Sequence, residues 1–118
     1  RRSGSIVNVA SDAAFIGRED QAIYGVAKAG VVHYTRCLAA QLRRYDVRVN
    51  AIAPGPIVTP RFLATRTTDP SKMVTHGTLE RYGWPIEIAR AAAFLLNAES
   101  FVTGQVLRVD GGHQIWPA

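Results

Sequence analysis

The chain has one cysteine, one methionine and two lysines in 118 residues. A single thiol, Cys37, excludes an internal disulfide and suits a reducing cytoplasm, the expected compartment. Set mid-helix among apolar neighbours, Cys37 reads as a small buried hydrophobe. No apolar run approaches the ~20 residues that a membrane span requires. The first residues, Arg1-Arg2-Ser3-Gly4, run straight into a strand pattern with no signal-peptide profile. His33, His76 and His113 lie far apart and lack ligand spacing, so no metal is expected. Asp110-Gly111-Gly112 lacks the frame of a calcium loop. There is no internal repeat and no low-complexity tract.

Positive charge is plentiful but unpatterned. The formal net charge is +5, from 14 Lys and Arg against 9 Asp and Glu. Only Arg1-Arg2 and Arg43-Arg44 are adjacent, and aromatics do not interleave with the cations as a base-stacking surface requires. Nucleic acid is therefore not an expected partner, and neither is a membrane. A hydrophobic content of 47% argues against disorder. The length allows one domain at most, spanning 1–118.

Strand and helix patterns alternate along the chain. Ser5 to Ala10 is a short β-branched apolar run suited to a strand covered on both faces. A loop follows to Gln21, and Ala22 to about Arg44 reads as one long helix. Val31, Tyr34, Leu38 and Leu42 form its apolar stripe. Gly25, Ala29 and Gly30 keep its early turns narrow enough for another backbone or a cofactor to approach. Val47 to Ala53 is a second strand, stopped by Pro54-Gly55-Pro56. Thr59 to Gly83 is irregular, and Pro85 opens a helix that runs to about Asn97. Gln105 to Val109 is a third strand. The β-α-β-α-β order predicts α/β architecture, parallel strands and right-handed crossovers, as in half of a doubly wound sheet.

The chemistry concentrates in Ser11, Tyr24 and Lys28. Tyr24 and Lys28, four apart on a helix, share one face, and Ser11 arrives from the preceding strand. A lysine about 4 Å from a phenol, at an effective dielectric near 20, favours the phenolate by roughly 4 kcal/mol. That makes Tyr24 available as a general acid or base near neutral pH. Ser11 suits an electrophilic role on a substrate oxygen. Asn8 and Asn50, near strand ends, suit structural bonds to backbone groups. Pro54 and Gly55 turn the chain at a strand's carboxyl end, where open α/β sheets bind ligands. Thr59 suits the N-cap of a helix opening at Pro60.

Four segments in this order resemble the short-chain dehydrogenase/reductase family: Gly4 to Ser11, Tyr24-xxx-Lys28, Val49 to Thr59, and Thr103 to Gly112. Ala10 and Ala27 stand where serine is common in that family; neither change removes a proton-transfer group. The chain lacks the family's Gly-rich phosphate turn, its Asn-Asn-Ala-Gly segment and its upstream helix asparagine. It looks like the C-terminal half of such an enzyme, with the fifth, sixth and seventh strands of a Rossmann-like three-layer αβα sheet. In isolation the free edge of the Ser5–Ala10 strand would invite pairing with other chains and poor solubility.

The resemblance implies an oxidoreductase that uses NAD or NADP on a small-molecule carbonyl or secondary alcohol. A 3-oxoacyl-carrier-protein reductase type and a sugar or other alcohol dehydrogenase are both open. By resemblance, Ser11, Tyr24 and Lys28 are catalytic, and Lys28 also meets the nicotinamide ribose. Pro54, Gly55, Ile57 and Thr59 line the cofactor, with the Ile57 backbone on the carboxamide. The segment from Arg61 to Tyr82 is the substrate side, with Phe62, Leu63, Met73, His76 and Leu79 as lining residues. The long helix and last strand would build a homo-oligomer, a dimer or tetramer. A non-catalytic fragment or interaction module retaining those surfaces is the alternative.

Overall fold

The computed structural model describes residues 3–65 and 81–113. Three strands form one parallel sheet: β1 (Gly4–Val9), β2 (Val47–Pro54) and β3 (Val106–Val109), in the order β1-β2-β3. Between them lie α1 (Ala22–Leu42), the short α2 (Pro60–Thr65) and α3 (Pro85–Leu96). The register pairs Asn8 with Ala51 and Ile52 with Leu107.

β2 is flanked by strands on both sides, and its Val49 to Ala53 run is fully buried. Its Val, Ile and Ala content is what a strand covered on both faces requires. β1 is the edge of this sheet, and the helices on its two faces cover it only in part, leaving Ile6 and Val9 exposed where the composition suggested full cover.

Alternation along the strands assigns each helix to a face. Asn8 donates from Nδ2 to Thr35 Oγ1 on α1 at 3.1 Å. Ser5 donates from Oγ to the Leu95 carbonyl of α3 at 3.0 Å, and Arg48, paired with Ser5, also reaches that carbonyl. Residues 5 and 8 point to opposite faces, so α1 and α3 cover opposite sides and the architecture is a three-layer αβα sandwich. Both connections step the same way across the sheet. The crossovers therefore have opposite hands, and the expectation of two right-handed crossovers does not hold.

The buried side of α1 is Val32, Thr35 and Ala39, not the stripe expected at Val31, Tyr34, Leu38 and Leu42. Tyr34 is 58% exposed. The helix lies close to the sheet, so its contact side takes small residues. Val32 packs with Ala10 and Ala53, and Val31 joins them only from the margin. Thr35 survives there because its hydroxyl is satisfied twice, donating to the Val31 carbonyl at 2.7 Å and accepting from Asn8. The helix ends at Leu42 with a 3-10 turn over Arg43–Tyr45, and Asp46 takes a left-handed φ of 56° to turn the chain into β2.

Two more expectations fall into place. Asn50, fully buried, donates to the Val102 carbonyl and accepts from the Gln105 N–H. α3 opens at Pro85, and the Glu87 carboxylate accepts the Trp84 N–H at 2.8 Å, a cap on one orphan donor of the first turn.

Candidate functional site

The carboxyl ends of β1 and β2 open into a cleft of about 700 Å³. Ser11, Tyr24, Lys28, Pro54, Gly55, Ile57, Thr59 and Phe62 all line it. Leu63 is not among the lining residues and is 53% exposed. Met73, His76 and Leu79 lie outside the described residues.

Ser11 sits just past β1 in extended conformation and caps a 3-10 turn over Asp12–Ala14. Its Oγ accepts the Ala13 N–H at 3.1 Å, which leaves the hydroxyl hydrogen for another acceptor. Tyr24 stands in the first turn of α1, 47% exposed toward the cleft. Lys28 lies one turn on, its Nζ 5.7 Å from the Tyr24 ring centroid. The same ammonium donates to the Val9 carbonyl at 3.3 Å, tying the helix to the end of β1 and leaving further donors. Gly25 lets this part of the helix approach the serine loop. A Cβ there would stand 3.0 Å from the Ala13 carbonyl oxygen.

The second wall is built by the turn after β2. Gly55 donates its N–H to the Val109 carbonyl at 2.9 Å, and a Cβ at Gly55 would lie 2.6 Å from Asp110 Cβ. Ile57 forms a parallel bridge with Gly83. Its bonds run from Gly83 N–H to the Pro56 carbonyl and from Val58 N–H to the Gly83 carbonyl. The N–H and carbonyl of Ile57 itself stay out of that bridge. Thr59 is the N-cap of α2, its Oγ1 accepting the Phe62 N–H at 3.1 Å, so its hydroxyl hydrogen is still available for donation. Phe62 is buried and packs edge-on against Tyr82 with centroids 4.8 Å apart.

This donor set fits a nicotinamide nucleotide. A carboxamide needs one donor and one acceptor side by side, which the Ile57 backbone has. Ribose hydroxyls need a donor of Lys28's kind, and Thr59 offers a hydroxyl at the same wall. Among the described residues no group of three His, Cys, Asp or Glu side chains could hold a metal ion, and no helix is long and apolar enough to cross a membrane.

One feature of the cleft wall escaped the sequence reading. Asp12 and His113, 6% and 7% exposed, are in contact through Asp12 Oδ2 and His113 Nδ1 at 2.9 Å. The only local hint is an acidic residue beside Ser11 in an otherwise apolar segment.

An open parallel sheet with a ligand-sized cleft at its carboxyl ends, lined by serine, tyrosine and lysine, is a doubly wound α/β arrangement of the kind that binds nucleotides. A family model described as enoyl-(acyl carrier protein) reductase matches residues 1–114. Acetoacetyl-CoA reductase of Synechocystis is 45% identical over 115 residues, 96% of this chain and 48% of that protein. A 3-oxoacyl-[acyl-carrier-protein] reductase of Thermotoga maritima is 41% identical over 113 residues, 95% of this chain and 46% of that protein. The crystal structure of a 3-oxoacyl-[acyl-carrier protein] reductase from Brucella melitensis superimposes with a TM-score of 0.86 at 37% identity, over 98% of this chain and 44% of that one. A 7α-hydroxysteroid dehydrogenase complexed with NADH and 7-oxo glycochenodeoxycholic acid gives 0.85 at 38% identity, over 94% and 44%. The chain belongs to the short-chain dehydrogenase/reductase family and spans about half the length of the curated relatives it matches.

Proposed function

We propose that the protein carrying this chain is an NAD(P)-dependent oxidoreductase acting on a carbonyl/secondary-alcohol pair, and that residues 1–118 form the C-terminal, catalytic and substrate part of its single Rossmann-like domain. The observation that carries this is the convergence of Ser11, Tyr24 and Lys28 on one cleft that also holds the Ile57 and Thr59 donors.

A nicotinamide nucleotide held by Lys28, Ile57 and Thr59 would supply or accept the hydride. Tyr24 gives its phenolic proton to the carbonyl oxygen in reduction and takes it back in oxidation. Ser11 donates its hydroxyl hydrogen to that oxygen and stabilises the charge developing on it. Lys28 sets its positive charge beside the Tyr24 ring and offers its remaining N–H groups to the ribose. Proton transfer by Tyr24 and hydride arrival at carbon together convert C=O to CH–OH.

The acetoacetyl-CoA and 3-oxoacyl-carrier-protein reductases among its relatives favour a 3-oxoacyl thioester as the substrate class, over a sugar alcohol. Arg18 and Arg61 on the cleft wall suit an anionic carrier. The exposed Ile23 and Val26 of α1 support a homo-oligomer built on that helix, and the lone cysteine supports a cytoplasmic location. The test is reduction of acetoacetyl-CoA by the native protein with NADPH and then NADH, followed at the nicotinamide absorbance. Turnover that vanishes in Tyr24→Phe while the cofactor still binds supports the reading; undiminished turnover in that variant overturns it.

A further inference from the structure

The Asp12–His113 pair joins two elements that are 101 residues apart in sequence. Asp12 lies on the serine loop beyond β1, and His113 on the turn beyond β3. Both line the cleft. A buried carboxylate is costly unless its oxygens are hydrogen-bonded, and here each oxygen has a partner. Oδ2 takes the His113 Nδ1 at 2.9 Å. Oδ1 stands 3.4 Å from Ser11 Oγ, which donates to it.

We propose that Asp12 and His113 are a positioning pair for Ser11, the imidazole fixing the plane of the carboxylate and the carboxylate aiming the serine hydroxyl. This rests on the proposed hydride chemistry. At 3.4 Å the Ser11-to-Asp12 contact is longer than an ordinary O–H···O hydrogen bond, so the carboxylate biases the hydroxyl only weakly and yields it to a substrate oxygen. The His113 bond keeps the carboxylate from rotating onto the serine and capturing its hydrogen. With the imidazole gone, Asp12 swings toward Ser11, and the hydroxyl is withdrawn from the substrate. Arg108 of β3 reinforces the same junction: its guanidinium lies over the Phe15 ring of the serine loop, 4.9 Å from the centroid. The pair therefore acts on the proton-donating wall of the cleft and not on the cofactor wall.

The test is steady-state kinetics on the native protein and on Asp12→Asn, His113→Leu and His113→Asn, with Tyr24→Phe alongside. Asn at 113 can put an amide N–H where Nδ1 stands, and Asn at 12 removes the charge without changing volume. His113→Leu and Asp12→Asn are each expected to lower kcat about tenfold, with cofactor affinity within about twofold of native, and His113→Asn to keep most of the activity. The double variant Asp12→Asn/His113→Leu should lose little beyond either single one, since both break one unit. If His113→Leu does not fold, the isosteric Asp12→Asn decides. Unchanged kcat in Asp12→Asn overturns the pair's role. So does a loss in which kcat, cofactor affinity and thermal midpoint fall together with no rescue by His113→Asn. A native protein without hydride transfer, or an active Tyr24→Phe, overturns the reaction assigned to the cleft and this role with it.

Discussion

The two halves of α1 are built for different work. From Ala22 to Gly30 no residue is buried, and Tyr24 and Lys28 face a cleft. From Val31 to Leu42 the helix presses Val32, Thr35 and Ala39 against the sheet. The second half holds the helix in place, and the first extends from it with side chains free to meet a ligand. The first half is tied to the serine loop and the end of β1, among other contacts, by the Lys28 bond to the Val9 carbonyl and the Gly25 approach to Ala13. Stability and chemistry are thus separated along one helix, and each should respond to different substitutions.

The largest effect should come from Tyr24→Phe in the native protein. Loss of the proton donor is expected to reduce turnover by about 10² to 10⁴-fold, with the thermal midpoint nearly unchanged because the ring is half exposed. Thr35→Val should do the reverse. It keeps the shape of a fully buried side chain but strips the Asn8 amide of its acceptor. A loss of about 1–3 kcal/mol in chemical denaturation is expected, with cofactor affinity preserved.

The two glycines of the first half offer a finer split. Gly30→Ala meets nothing within 4 Å and should stabilise the helix by about 0.5–1 kcal/mol, read from the denaturation midpoint. At Gly25 the same change places a methyl 3.0 Å from the Ala13 carbonyl oxygen. There the propensity gain should be cancelled by a shift of the serine loop, visible as a lower kcat. An equal gain at both sites would show that the early helix has slack.

The smallest effect lies off α1. Arg81 grips Glu87 with two bonds, at 2.7 and 2.9 Å. That guanidinium, and then the Trp84 N–H, pull the Glu87 carboxyl from its ordinary 4.5 down to about 2. The folded value lies below the unfolded one, so the pair's stabilisation is complete above about pH 4.5 and is lost as pH falls toward 2. Glu87→Gln should lower the thermal midpoint modestly above about pH 4.5 and remove the part of its pH dependence between 4.5 and 2 that the pair supplies, a small effect because both side chains are partly exposed.

Much of this was legible in the sequence. β-branched runs located the strands, and Pro85 and Pro54 marked a helix start and a strand end at the right residues. The Tyr24, Lys28 and Ser11 spacing put three groups into one cleft. The buried side of α1 was not legible: periodicity reports large apolar residues, whereas a helix lying close to a sheet buries small ones, and Tyr34 has no place there. The opposite hands of the crossovers were hidden because strand order and helix side depend on contacts such as Ser5 with Leu95. Asp12 and His113 were invisible for the same reason, their pairing being made only when β1 and β3 come to the same end of the sheet.

The contact between Gly55 and Asp110 limits how this chain can vary. No side chain fits at position 55 unless the backbone at 110 moves, since Asp110 Cα itself would stand 2.7 Å from an added Cβ. Any attempt to reshape the pocket by redesign has to treat these two sites as one unit and alter them together. Room for independent change lies instead on the Phe62 side, where a side chain meets a side chain and can be exchanged with its neighbour.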